Sequence, residues 1–315
     1  MNVRNPIPFA LVAGLVATAP VQAADPDAAG DARAPSPIVV ARTGKSGGAS
    51  AEEERRAACP WVPLFDGHSL DGWTPKFRGF AYGEDPADTF RVEDGAITVS
   101  YDGYEEFGGR FGHLFYETPF SHYRLRLEYR IYGDAIPGTP VWAFRNSGVM
   151  YHALPPDTMP VEQEFPVSLE MQFLRGRGDG EPRPTGNVCT PNTNTVYQGK
   201  FDETHCISSS SPTFDDDGWV TAELLVLGDE LVVHRINGED VLRFERPTYG
   251  GPGQAVHNLD PAQEGEPVVG GYIAVQAEGH PVQFRNIDIQ VLAVDASSSP
   301  DCARPGTAPT APASR

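Results

Sequence analysis

Short runs of alternating apolar and polar residues, broken by glycine-bearing turns, set the tightest limit on what this chain can become. They fall at residues 89–100, 123–131, 146–152, 168–174, 220–227, 231–237, 272–277 and 282–292. In an extended chain such alternation sends apolar side chains to one face and polar ones to the other. Asp94-Gly95, Gly228-Asp229 and Asn237-Gly238 are dipeptides that favour tight hairpins. No long apolar repeat at helical spacing interrupts them. So many short strands in this length predict an all-β chain, a two-sheet antiparallel jelly-roll sandwich. Residues 175–217 read as one long loop, and loops of that length are commonly functional.

The ends differ in composition from the middle. Arg4, the apolar stretch 7–16 and Val21-Gln22-Ala23 read as a signal peptide over residues 1–23, too short and too rich in Pro and Ala to span a membrane. Residues 24–58 read as a flexible leader, 59–294 as the sandwich and 295–315 as a disordered tail. No cysteine stands at the cleavage point to carry a lipid, so the expectation is export to a periplasm or the medium without a membrane anchor. In that compartment the four cysteines are expected to form disulfides. Cys189 with Cys206 would staple the 175–217 segment, and Cys59 with Cys302 would tie the domain ends. Four cysteines allow three connectivities, which sequence does not choose among. A surplus of 43 acidic over 24 basic residues, formally −19, excludes nucleic acid as a partner. The oligomeric state is not written in the sequence.

Two strands carry candidate chemistry. In 168–174, Leu169, Met171 and Phe173 face one way and Ser168, Glu170 and Gln172 the other. In 270–289, Gln276, Glu278 and His280 fall two apart, which places them on one face if the chain stays extended. Together these suggest the floor of a polar groove. Asn146 and His152 share a face of the 146–152 strand, and Arg285 sits in the last strand. Plainer readings stand beside each residue. Glu170 would serve as partner to Arg285 or Arg145, Glu278 and His280 would hydrogen-bond across a strand end, and His152 would lie at the surface. Arg124, Arg126, Glu128 and Arg130 alternate with apolar residues and read as a half-exposed face with cross-strand ion pairs. No phosphate-binding glycine loop, G-x-S-x-G turn or H-E-x-x-H string occurs.

Several separated strings then agree in order. Leu64-Phe-Asp-Gly-His-Ser-Leu-Asp-Gly-Trp73, Asn146-Ser147-Gly148, Glu170-Met171-Gln172, Trp219 ahead of Asn237-Gly238, and Phe284-Arg285-Asn286-Ile287 together resemble the 3-keto-disaccharide hydrolase family. The resemblance covers residues 61–294, and the chain departs from the family in its loops, above all the cysteine-bearing one. It implies a concanavalin A-like lectin/glucanase type of jelly roll acting on glycosides already oxidised at C3. A C3 ketone acidifies the C2 proton, so a base can remove it, the C1 aglycone leaves, and added water completes a net hydrolysis.

That route needs a base, an acid near the leaving oxygen and an electrophile at the ketone. It does not need two carboxylates flanking the bond. Laminarinase-type sandwiches carry E-x-D-x-x-E on one strand, whereas this chain has Glu170-Met-Gln-Phe-Leu-Arg175, which argues against ordinary retaining hydrolysis. Glu170, Glu278 and His280 are the expected catalytic set, with a divalent metal cation held among them as a further expectation. Asn146, Gln172, Gln276, Arg285 and His152 are the expected substrate contacts. The competing expectation is a non-catalytic carbohydrate-binding module on the same fold.

Overall fold

The computed structural model describes residues 56–295 and 297–302; the stretch read as a signal peptide, nearly all of that read as a leader and most of that read as a tail lie outside the described residues. The alternating runs become strands in two antiparallel sheets. The larger runs in the order β11 (Lys200–Asp202), β10 (Thr193–Tyr197), β15 (Glu239–Tyr249), β14 (Leu231–Ile236), β13 (Val220–Leu227), β6 (His122–Ile131), β17 (Val282–Val291), β4 (Ala96–Val99) and β3 (Phe90–Glu93), with β1 (Val62–Pro63) also on β17. The smaller runs β12 (Cys206–Ile207), β9 (Asn187–Cys189), β8 (Leu169–Leu174), β7 (Asn146–Ala153), β16 (Tyr272–Ala277), β5 (Gly112–Tyr116) and β2 (Trp73–Phe77). The sandwich is all-β, with helix confined to single 3₁₀ turns among the described residues.

The apolar faces meet between the sheets. Tyr129 of β6 stacks on Phe173 of β8 with centroids 3.9 Å apart, and its hydroxyl meets Thr185 Oγ1 at 2.7 Å. Tyr151 Oη lies 2.8 Å from His234 Nε2, while His234 Nδ1 lies 2.9 Å from the Gly186 carbonyl. That carbonyl can only accept, so Nδ1 carries the proton and Nε2 receives the tyrosine hydroxyl. Both polar groups are thereby satisfied inside the core.

The segment read as one long loop instead holds β9 to β12, which extend both sheets at their edges. Runs of two to five residues rich in Thr and Asn are too short and too polar for alternation to show. Both disulfides form, Cys189–Cys206 across the β9–β12 pair and Cys59–Cys302 between the two ends of the sandwich. The string 64–73 serves the fold. Asp66 Oδ1 accepts from the His68 and Ser69 amides at 2.7 and 2.8 Å, and Trp73 Nε1 donates to the Leu64 carbonyl at 2.8 Å. The outer face of β6 carries the expected ion pairs, Arg126 with Asp288 and Glu128 with Arg285.

Candidate functional site

The small sheet turns its polar face away from the core, and strand register lays polar residues across it in a single line. Lys76 pairs with His113, His113 with Gln276, Gly148 with Gln172, and Gln172 with Asn187. Val275 pairs with Val149, so the same register sets Gln276 beside Gly148. Gly148 has no side chain, and its place is taken by the Glu170 carboxyl. A Cβ at Gly148 would lie 2.5 Å from Glu170 Oε1, so this close approach is open to glycine alone.

Over the Glu170 end of this line lies a cleft of about 460 Å³. Asn146, Glu170, Gln172 and Glu278 form its floor, and the Cys189–Cys206 disulfide and His205 form one side. The other side holds Trp142, Glu164, Phe165 and Gln254. Trp142 is 52% exposed and stacks on Phe111 at 5.5 Å with 13° between the rings. It presents one face at the rim.

Glu170 and Glu278 are only 7% and 2% exposed, and each has a buried oxygen without a hydrogen-bond partner, Oε1 and Oε2 respectively. The arginines weighed as partners for Glu170 are engaged elsewhere. Arg285 Nε donates to Glu128 at 2.6 Å, and Arg145 donates to the Gly176 carbonyl. Burial pushes the Glu170 carboxyl up to about 8. Glu278 rises well above the ordinary carboxylate range, first from burial and then from the negative charge of Glu170. The two carboxyls titrate as a pair, and burial makes that pair hold on to a proton near neutral pH.

The structure brings Glu170, Glu278, Asn146 and Gln172 together. Gln276 stands in the same line, fully buried just beyond the cleft, with Nε2 3.4 Å from His113 Nε2. The other expected residues are placed elsewhere, each for a local reason.

His280 does not line the cleft. The strand ends at Ala277, and Gly279 takes φ +89° with its amide donating to the Tyr101 hydroxyl at 2.6 Å. Alternation fails at that glycine, and the imidazole packs edge-on against Phe144 at 5.7 Å. His152 leaves its strand face at a bulge, where its φ is +52° and the β7–β16 register slips. Its Nε2 reaches the Gly228 carbonyl at 3.1 Å, inside the core. Arg285 belongs to the large sheet, where it lies 3.9 Å over the Trp219 ring.

The set Glu170, Glu278 and His280 therefore does not converge as a metal centre. No group of three or more His, Cys, Asp or Glu residues among the described residues is arranged to hold a cation. Sequence reading missed Trp142, Phe165 and Gln254 on the cleft wall, and Lys76 and His113 on its floor line. Lys76 and His113 alternate with apolar neighbours on β2 and β5, which was the available signal.

Comparison with solved structures finds remote likenesses. A candidate glycosyl hydrolase from Parabacteroides distasonis is 19% identical, with TM-score 0.44, over 76% of this chain and 96% of that one. A protein of unknown function with a galectin-like fold from Bacillus subtilis is 12% identical, with TM-score 0.45, over 75% and 96%. No curated protein matches the chain. The model of the 3-keto-alpha-glucoside-1,2-lyase-like domain matches residues 60–290, most of the chain, and the protein belongs to that family.

Proposed function

We propose that this protein is an exported enzyme that cleaves glycosides oxidised at C3, by elimination followed by addition of water. The observation that carries the reading is the buried Glu170–Glu278 pair on the floor of a cleft whose rim offers an aromatic face. The family is described by its 3-keto-glucoside chemistry, and the two disulfides fit an oxidising compartment.

The roles follow from which group ionises first. The Glu170 charge raises Glu278 further, so with Glu170 assigned as the base the Glu278 carboxyl keeps its proton and is the acid. Glu170 takes the C2 proton. The C2–H electrons form the C1=C2 bond conjugated to the C3 ketone as the C1–O bond breaks. The departing oxygen takes the proton of Glu278. Water adding across C1=C2 then gives the free 3-keto sugar, and the pair returns to its starting protonation. Asn146 and Gln172 supply amides for sugar oxygens, and Trp142 supports a ring face.

The test is release of nitrophenol from C3-oxidised 4-nitrophenyl glucoside beside the unoxidised compound, with wild type, Glu170→Gln and Glu278→Gln. Turnover of the keto compound alone, lost in both variants, is the expected result. Saturable glycan binding with no turnover of either compound would move the protein to the carbohydrate-binding class.

A further inference from the structure

The polar line across the small sheet continues past the open cleft. Beyond Glu170 it runs through Gln276 and His113 to Lys76, all essentially without solvent contact. Buried polar groups normally find partners. Here Gln276 Oε1 and His113 Nδ1 have none, and the Lys76 ammonium, a donor of three protons, meets only the Phe77 and Val161 carbonyls at 2.8 and 3.4 Å. The bland alternative, a strand face filled with apolar residues, exists one row away, where Phe115, Ala274 and Met150 pack together. A fold that keeps hydrogen-bonding groups dry in one row and packs the next normally has some use for the groups.

What covers the strip is a segment without ladder pairing. Residues 161–166 form no strand, and Phe165 turns its ring onto His113 at 5.8 Å. The segment is fastened largely by side chains. Gln254 Oε1 accepts from the Glu164 and Phe165 amides at 2.9 and 3.0 Å, and Gln254 Nε2 donates to the Phe165 carbonyl. Arg78 holds Glu164 at 2.7 Å, and the Gly79 amide donates to the Val161 carbonyl at 2.7 Å. Phe165 and Gln254 also line the open cleft, so this roof is the partition between the cleft and the covered strip.

We propose that Gln276, His113 and Lys76 form a second sugar subsite, and that residues 161–166 are a flap, latched by Gln254, that opens to admit it. The subsite takes a second pyranose ring. One amide, one imidazole and one ammonium on a line suit hydroxyl oxygens, and the line leads directly from the Glu170 position. This assignment rests on the glycoside reading of the cleft.

The experiment is carbethoxylation of His113 by diethyl pyrocarbonate, followed by mass spectrometry of the peptide that carries it. Wild type and Gln254→Ala are compared with no sugar, with methyl glucoside and with maltose. The expected result is labelling at least ten-fold faster in Gln254→Ala, slowed several-fold by maltose and not by methyl glucoside. Circular dichroism and the labelling rate of the core residue His234 report whether the variant is folded. If it is not, Gln254→Asn, which shortens the latch by one methylene, replaces it.

Equal His113 labelling in a folded latch variant and wild type would overturn the flap. Equal protection by both sugars, or by neither, would overturn the subsite. The glycoside reading fails separately: no turnover of the C3-oxidised substrate while maltose still protects His113 would leave the subsite standing and remove the chemistry.

Discussion

Replacing Glu170 with Gln should stabilise the protein, and by an amount that grows with pH. A carboxyl whose pKa is higher folded than unfolded contributes its full stability below the unfolded value and loses it as pH rises through the folded one. Glu170 moves from an ordinary 4.5 to about 8 because it is buried. At 1.36 kcal/mol per pH unit, wild type gives up roughly 3 kcal/mol by pH 7 relative to pH 4, levelling at roughly 5 above pH 8. A Gln side chain has the same shape and no proton to lose, so it escapes that cost. Removing the Glu170 charge also relieves Glu278, which shifts the variant in the same direction. Urea unfolding with the disulfides intact, at pH 4, 5.5, 7 and 8.5, measures the difference. Expected are near-equal stabilities at pH 4 and a variant more stable by some 2–5 kcal/mol at pH 8.5. A difference that stays constant across this range, or wild type gaining on the variant as pH rises, would refute the claim that burial strains this carboxyl.

Three further outcomes are expected. With C3-oxidised 4-nitrophenyl glucoside, kcat/KM should rise about ten-fold per pH unit below pH 8 and then level. A flat profile from pH 6 to 9 would count against Glu170 as the base. Trp142→Ala should raise KM roughly five- to ten-fold, the value of about 1 kcal/mol of apolar ring contact, with kcat little changed. His280→Ala and Arg285→Ala should both leave kcat/KM within about two-fold, because neither lines the cleft, and Arg285→Ala should cost no more than about 1 kcal/mol for its ion pair with Glu128. Loss of turnover in His280→Ala would return that imidazole to the catalytic set.

What could be read in the sequence was whatever alternation controls. Glu170 and Gln172 share a face because β8 stays regular, and Asn146 on β7 and Glu278, one residue past the end of β16, reach the same cleft. Alternation was unreliable wherever one residue left the extended region. Gly279 redirects His280, and the bulge at His152 sends a strand-face residue into the core. Arg285 shows a different limit: pattern gives the face of a strand but not the sheet to which the strand belongs. Lys76 and His113 do not stand out in the pattern because polar residues on a strand normally mark its wet side, whereas here a separate segment covers them. That cover is fastened by Gln254, some 90 residues away from it in sequence, a pairing no local pattern encodes.

The choice between an eliminating enzyme and a binding module turns on the cost of the site. A module that only holds sugar needs hydrogen-bonding groups and ring faces, and amides would supply the former without any titration. Asn146, Gln172 and Gln276 show that this sheet accommodates amides readily. On the floor of the cleft it carries two carboxyls instead, both made hard to ionise by burial, and Glu278 further by the Glu170 charge. Holding a neutral sugar by hydrogen bonds does not call for a carboxyl pair that resists ionisation. What such a pair offers is a weak base beside a retained proton, and abstraction at C2 with departure at C1 calls for that combination on one side of a ring. Ordinary glycoside hydrolysis would set its carboxyls on either side of the scissile bond, and these two share one floor. If Glu170→Gln proves both more stable and inactive, the strain and the activity have one source, and the binding-module reading loses its support.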